Sequence, residues 1–189
     1  GTNGLDDSVV LDRTSNAEMT LIDLENVTLT AGRSTIVNAS GSTISGSNGD
    51  DVLTLANLTS STLDFGTGSD TLSFSDAGFV ALDDNSDSEL GLNELIAEGI
   101  QNLDVIDLGS SGQIINVSAS DIISISETGT LRFTGTNGSV TSSLETWEQQ
   151  ENVVDGGTIF EVYTNGGANL EIQRDIDEDI SNPITVINA

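Results

Sequence analysis

Apolar and polar residues alternate along most of this chain, in stretches too short to be helices. The alternation runs from Ser8 to Leu11, Met19 to Leu24, Val27 to Thr30, Val52 to Leu55 and Thr71 to Phe74. It resumes from Leu103 to Leu108, Ile114 to Val117, Ile122 to Ile125, Thr130 to Phe133, Thr158 to Tyr163 and Asn169 to Ile172. A period of two places every other side chain on one face, so each stretch predicts a half-buried strand. Gly, Asn, Ser, Asp and Thr fill the gaps, and these are turn residues for backbone reasons. Two stretches break the pattern. In ELGLNELIAEGIQNL, from Glu89 to Leu103, Leu92, Leu95, Ile96 and Ile100 follow helical spacing. Asp87, Ser88 and Glu89 suit a helix start there, and Gly99 suits its end. SLETWEQQ, from Ser143 to Gln150, is a weaker helical candidate.

The strand and turn units repeat imperfectly. GTNGLDDSV (1–9), GSNGDDVLT (46–54) and FGTGSDTLS (65–73) each set glycine before aspartate and then enter an apolar alternation. Self-similar units of this kind mark stacked coils, in which no coil can bury its own apolar face without its neighbours. The expected fold class is therefore all-β: a parallel β-roll or β-solenoid with one short helix. It is read as a single module over 1–189, with N-terminal turns over 1–45, the two best turn units over 46–74, and further rungs over 75–174 that include a helix near 90–99. An acidic tail follows over 175–189.

These units resemble the calcium-binding nonapeptide G-G-x-G-x-D-x-U-x, where U is a large apolar residue. The second unit matches at Gly46, Gly49, Asp51 and Leu53, and Asn48 lies within its turn. The third matches at Gly66, Gly68, Asp70 and Leu72. In the first, Gly1, Asn3, Gly4 and Asp6 fall at the corresponding places, with Ser8 in the apolar slot. Glycine permits backbone of positive φ that turns carbonyls inward, and the aspartate adds a carboxylate. Asp51 and Asp70 are 19 residues apart. Two nonapeptides make a coil of roughly 18 residues, so both turns fall on the same side of adjacent coils. One turn offers half a calcium shell and the pair offers a whole one. Asp50 and Asp64 are expected as solvated neighbours, and Asp104, outside either unit, is expected to matter less.

Composition makes a cation necessary. The chain carries 31 Asp and Glu against 4 Lys and Arg, a formal charge of -27. All four cations are arginine: Arg13, Arg33, Arg132 and Arg174. So few cannot neutralise so many carboxylates, and the surplus opposes compaction. Calcium, which selects carboxylate and carbonyl oxygen, fits as the missing partner. Nucleic acid does not, because phosphate needs a basic face. Hydrophobic residues make up 35% of the chain, below the roughly 45–50% of ordinary domains. The alternation is what argues for order. No apolar run reaches the length of a membrane span. Gly1 at the start, with no signal-peptide core, reads as a segment of a longer protein.

Two further acidic groups are weaker metal candidates. In DDNSDSELGLNE (83–94), Asp83, Asn85 and Asp87 take the first, third and fifth places of an EF-hand-like loop, Glu89 follows, and Glu94 takes the twelfth. Ser88 stands where that loop needs glycine, and the same acids would serve to cap the following helix. DIDED (175–179) reads as a solvated tail. Catalysis is not expected. There is no histidine or cysteine, and no lysine among the cations, so the usual bases and nucleophiles are missing. Trp147 and Tyr163 could stack on sugar, but burial is the plainer role for both.

GIQNLDVIDLGSSGQIINVSASDIISISETGTLRFTG (99–135) and DGGTIFEVYTNGGANLEIQRDIDEDI (155–180) resemble the C-terminal region of giant RTX adhesins of Gram-negative bacteria. The pieces NLDVIDL, VSASDIISIS and GTLRFTG carry most of the likeness, which extends over roughly 46–180. The resemblance implies a non-catalytic calcium-binding module of a secreted, cell-surface protein. Such a module leaves through a type I secretion machinery under a C-terminal signal, folds on extracellular calcium, and supports attachment or biofilm. Its partners would be calcium ions and the rest of the adhesin polypeptide. The alternative is a carbohydrate- or surface-binding module of an adhesin, an S-layer protein or an extracellular polysaccharide enzyme, with polysaccharide as partner.

Overall fold

The computed structural model describes residues 8–11, 18–22, 26–30, 32–55, 57–74, 90–109, 113–136, 138–142 and 145–174. Within these the chain is all-β with two short helices. Strands β1 (Ser8–Leu11), β2 (Glu18–Ile22), β3 (Asn26–Leu29), β4 (Gly32–Ser40), β5 (Thr43–Ser45) and β6 (Asp51–Leu55) alternate between two sheets. After β7 (Leu58–Thr59), β8 (Thr62–Asp64) and β9 (Thr71–Phe74) continue the alternation. Next come β10 (Leu90–Gly91), helix α1 (Leu92–Ala97), β11 (Ile100–Gln101), β12 (Val105–Asp107), β13 (Gln113–Ile115) and helix α2 (Ala119–Ile125). The C-terminal part comprises β14 (Thr130–Thr134), β15 (Ser139–Val140), β16 (Glu148–Gln149), β17 (Val153–Asp155), β18 (Thr158–Asn165) and β19 (Ala168–Gln173).

One sheet has the order β1-β3-β5-β8-β11 and is parallel throughout. The large sheet runs β2-β4-β6-β9-β12-β14-β19 in parallel and then turns antiparallel through β18 to β16 and β17. A third sheet joins β10, β13 and β15. The core follows from the alternation. Leu53, Leu72, Ile106, Phe133 and Ile172 pair in register across five strands of the large sheet, and all are buried. Val27, Ile44, Leu63 and Ile100 make the corresponding buried column of the parallel sheet. Both columns belong to one apolar cluster. Hydrophobic burial therefore runs from strand to strand across both sheets.

Three local expectations need correction. Ile122 to Ile125 is not a strand but the end of α2. Ser118 caps that helix by accepting the Asp121 N–H, and Ala119, Ile122 and Ile125 share its buried face. A run as short as IISI satisfies both periods, and the cap decides between them. Second, the helical candidate SLETWEQQ is not helical over its described residues, 145–150: Glu148–Gln149 is a strand, and Trp147 is buried with its indole N–H donating to Ser142 Oγ at 2.8 Å. Third, the sheets are mixed and not the wholly parallel β-roll expected. Gly166 and Gly167 take positive φ in a two-residue loop that folds β18 back onto β19. The expected helix in ELGLNELIAEG is present as Leu92–Ala97, with Gly91 at its N-cap donating its N–H to Glu94 Oε2 at 2.6 Å; Asp87–Glu89, read as suiting its start, lie outside the described residues. It ends at Ala97 with Glu98 as C-cap, close to the expected end near Gly99, whose φ is +78.

No helix among the described residues is long and apolar enough to cross a membrane. Gly1, Asn3, Gly4, Asp6, Asp83, Asn85, Asp87, Glu89 and the 175–189 tail lie outside the described residues.

Candidate metal centre

The two glycine turns stack directly on one another. Gly46 N–H donates to Asp64 O at 2.6 Å, Thr67 N–H to Ser47 O at 3.2 Å, and Ser69 N–H to Asp50 Oδ1 at 2.9 Å. Asp51 N–H donates to Asp70 Oδ1 at 2.7 Å, across the 19-residue offset. Gly46, Gly49, Asp51, Gly66, Gly68 and Asp70 are thus brought together as the repeat required, and Asn48 is exposed in the first turn. The glycines act differently from expectation. Gly66 and Gly68 adopt positive φ, whereas Gly46 does not. Gly46 is needed for close approach, because a Cβ there would overlap the Phe65 carbonyl oxygen of the next turn.

Both aspartates turn into the protein. Asp51 is 1% exposed and Asp70 is fully buried. Asp51 Oδ2 accepts from Ser47 N–H at 2.7 Å and from Ser47 Oγ at 3.1 Å. Asp70 Oδ2 is buried with no hydrogen-bond partner. Burial pushes the Asp70 carboxyl up to about 6, against the lowering effect of the Asp51 amide, and the charges of Asp51, Asp104 and Asp50 add to the rise.

Asp104 belongs to the same column. Val52, Thr71 and Val105 are in register, so the residues before them, Asp51, Asp70 and Asp104, follow one another up the large sheet. Asp70 N–H donates to Asp104 Oδ2 at 3.1 Å, and Asp70 O accepts from Asp104 N–H at 3.2 Å and Val105 N–H at 2.8 Å. Burial raises the Asp104 carboxyl as well, with Glu127 and Asp50 adding to it and the Asp70 amide opposing. The motif could not find Asp104, because QNLDVI contains no glycine turn. Only its pairing with Thr71 reveals the position. Asp64 is also more than a solvated neighbour: Oδ1 accepts from Gly66 N–H at 3.0 Å and Asn102 Nδ2 at 2.8 Å. Glu94 lies apart from these turns, engaged at the start of α1.

Among the described residues no three acidic side chains converge closely enough to hold a metal by themselves. A cation here would need main-chain carbonyls as well, which suits calcium, an ion that takes carbonyl and carboxylate oxygen together. The residues fit such an ion on one direct observation: a buried carboxylate oxygen, Asp70 Oδ2, lacks a donor. Leaving it so is costly without a proton or a cation.

The raised carboxyl gives a prediction with a fixed sign. A folded value of about 6 against an ordinary 3.8 means the folded state holds the proton more tightly. That contribution is complete below the ordinary value and is lost as pH rises through the folded one. In chelator, the melting temperature should rise by a few degrees from about pH 7 to about pH 5, as read by circular dichroism. A fall over that interval would contradict the burial of Asp70.

Comparison with family models, with curated proteins and with solved structures finds no match to this chain.

Proposed function

We propose that this chain is a calcium-dependent structural module: a β-roll-like solenoid that stays loose without the ion and consolidates when calcium bridges its stacked glycine turns. The observation that carries the reading is the buried pair Asp51 and Asp70, whose turns stack across a 19-residue offset and whose Asp70 Oδ2 has no hydrogen-bond donor. The net charge of -27 supports it. Bound calcium supplies the positive charge that the chain's own arginines do not. Gly46, Gly49, Gly66 and Gly68 would contribute main-chain oxygen, and Asp51 and Asp70 carboxylate.

The wider role rests on the adhesin resemblance. The module is non-catalytic, belongs to a secreted, cell-surface adhesin exported by type I machinery, and serves attachment or biofilm. Calcium then acts as a compartment signal, since an ion that binds only the folded state drives folding where it is abundant.

Calorimetric titration of chelator-stripped protein tests the binding. Saturable heat is expected for the wild type, and Asp70→Asn should weaken affinity by at least about tenfold. Absence of heat in the wild type, or an unchanged affinity in Asp70→Asn, would overturn the reading.

A further inference from the structure

We infer that the cation site does not end at the second glycine turn, and that Asp104, on the following coil, is a calcium ligand shared with the Gly68–Asp70 segment. This rests on the calcium reading above and extends it to a residue that no repeat motif marks.

Three independent observations converge on Asp104. It is in register with Asp70 and Asp51, so the column advances one coil with it. Its carboxylate lies within hydrogen-bond distance of the Asp70 amide. A carboxylate that accepts one amide keeps further lone pairs for a cation. Next to it sits Asp70, fully buried, with Oδ2 lacking any donor. The negative charges of Asp51 and Asp104 both act on that group. Two such anions in adjacent coils, one of them with an unused buried oxygen, call for a positive charge between them.

The surroundings offer access and further donors. An open depression of about 310 Å³ borders Asp104 and is also lined by Gly68, Ser69 and Thr128. Residues bearing hydroxyl and carboxylate oxygen therefore line one depression beside the Gly68 main chain, and these are the oxygen types a hard divalent ion takes. Arg132 lines the same depression, but its guanidinium is already matched. It donates to Asp155 at 2.6 Å and Glu171 at 2.7 Å and stacks over Phe160. Its charge is thus directed to the C-terminal hairpin and leaves the acid column uncompensated.

The competing explanation is that Asp104 merely accepts the Asp70 N–H. Asp104→Asn separates the two, because asparagine keeps an acceptor oxygen and loses the charge. The control is Glu148→Gln, an exposed change of equal charge on β16. A ligand role predicts opposite signs in two buffers. In chelator, Asp104→Asn should melt at or above the wild-type temperature, since a like charge has been removed. In calcium it should melt lower, bind calcium at least about tenfold more weakly than Glu148→Gln, and regain affinity as Asp104→Glu. Terbium bound in place of calcium should show a shorter luminescence lifetime in water, reporting an added coordinated water. Equal calcium affinity in Asp104→Asn and Glu148→Gln overturns the inference. So does a loss of melting temperature in chelator as large as that in calcium. If the wild type itself ignores calcium, the functional reading falls too. If wild type and Asp70→Asn behave as proposed and Asp104→Asn does not, only this extension falls.

Discussion

Stripping calcium from this protein should lower its melting temperature by roughly 10 °C. An ion that binds only the folded state stabilises it by about 4 kcal/mol when free calcium is roughly a thousand times Kd. For a chain of this size each kcal/mol moves the midpoint by about 2–4 °C. Two effects add in the same direction. With the proposed ion removed, Asp70 Oδ2 would be left buried without a partner. Its removal also restores the full repulsion of a chain that has 31 acids and 4 cations. The repulsive part is screened by salt, and the coordination is not. Sodium chloride should therefore recover part of the lost stability, and calcium the whole. Melting curves in chelator, in chelator with salt, and in calcium separate the two contributions. Identical midpoints in all three would refute any structural role for the ion.

Gly46→Ala should be the most damaging single substitution in the turns. A side-chain carbon there would overlap the Phe65 carbonyl oxygen and approach Asp51 Oδ2 to 2.9 Å. Phe65 is itself buried in the core, so its backbone cannot retreat freely. The two turns must move apart, and overpacking of this kind costs about 3 kcal/mol at the upper end of its usual range. The midpoint should fall by about 6–12 °C. The calcium response should fall with it, because the added carbon separates Asp51 from Asp70. Gly109→Ala is the appropriate comparison. Gly109 has φ +61 but open space where its Cβ would be, so it measures backbone strain alone, about 1 kcal/mol. If Gly46→Ala and Gly109→Ala melt together, the close stacking of the turns is not what holds them.

Much of the strand content could be read from the alternation. Thr71 to Phe74 and Thr130 to Phe133 are strands in which every second side chain is apolar: Leu72, Leu131 and Phe133 are buried, and Phe74 is partly buried against the same core. Gly32–Ser40 is also a strand, though GRSTIVNAS has no clean period. Its place between β2 and β6 makes it extended, an instruction that comes from neighbours and not from its own residues. Ile122 to Ile125 went the other way, because the Ser118 cap and the buried face of α2 outweighed a local alternation.

The candidate site divides along the same line. Spacing and glycine content singled out the turns of Asp51 and Asp70 as a pair, and the two turns are neighbours, with the Asp51 N–H donating to Asp70 Oδ1. The sequence by itself also determined the net charge of -27, with 31 acids against 4 cations, because charge is a sum over residues and independent of fold. Tertiary structure alone decided that Asp104 joins the column, that Gly46 serves close packing and not a left-handed bend, and that the last strands fold back antiparallel. Each depends on which strand pairs with which, and pairing between distant segments is set by burial of the whole core, which no short stretch of residues encodes.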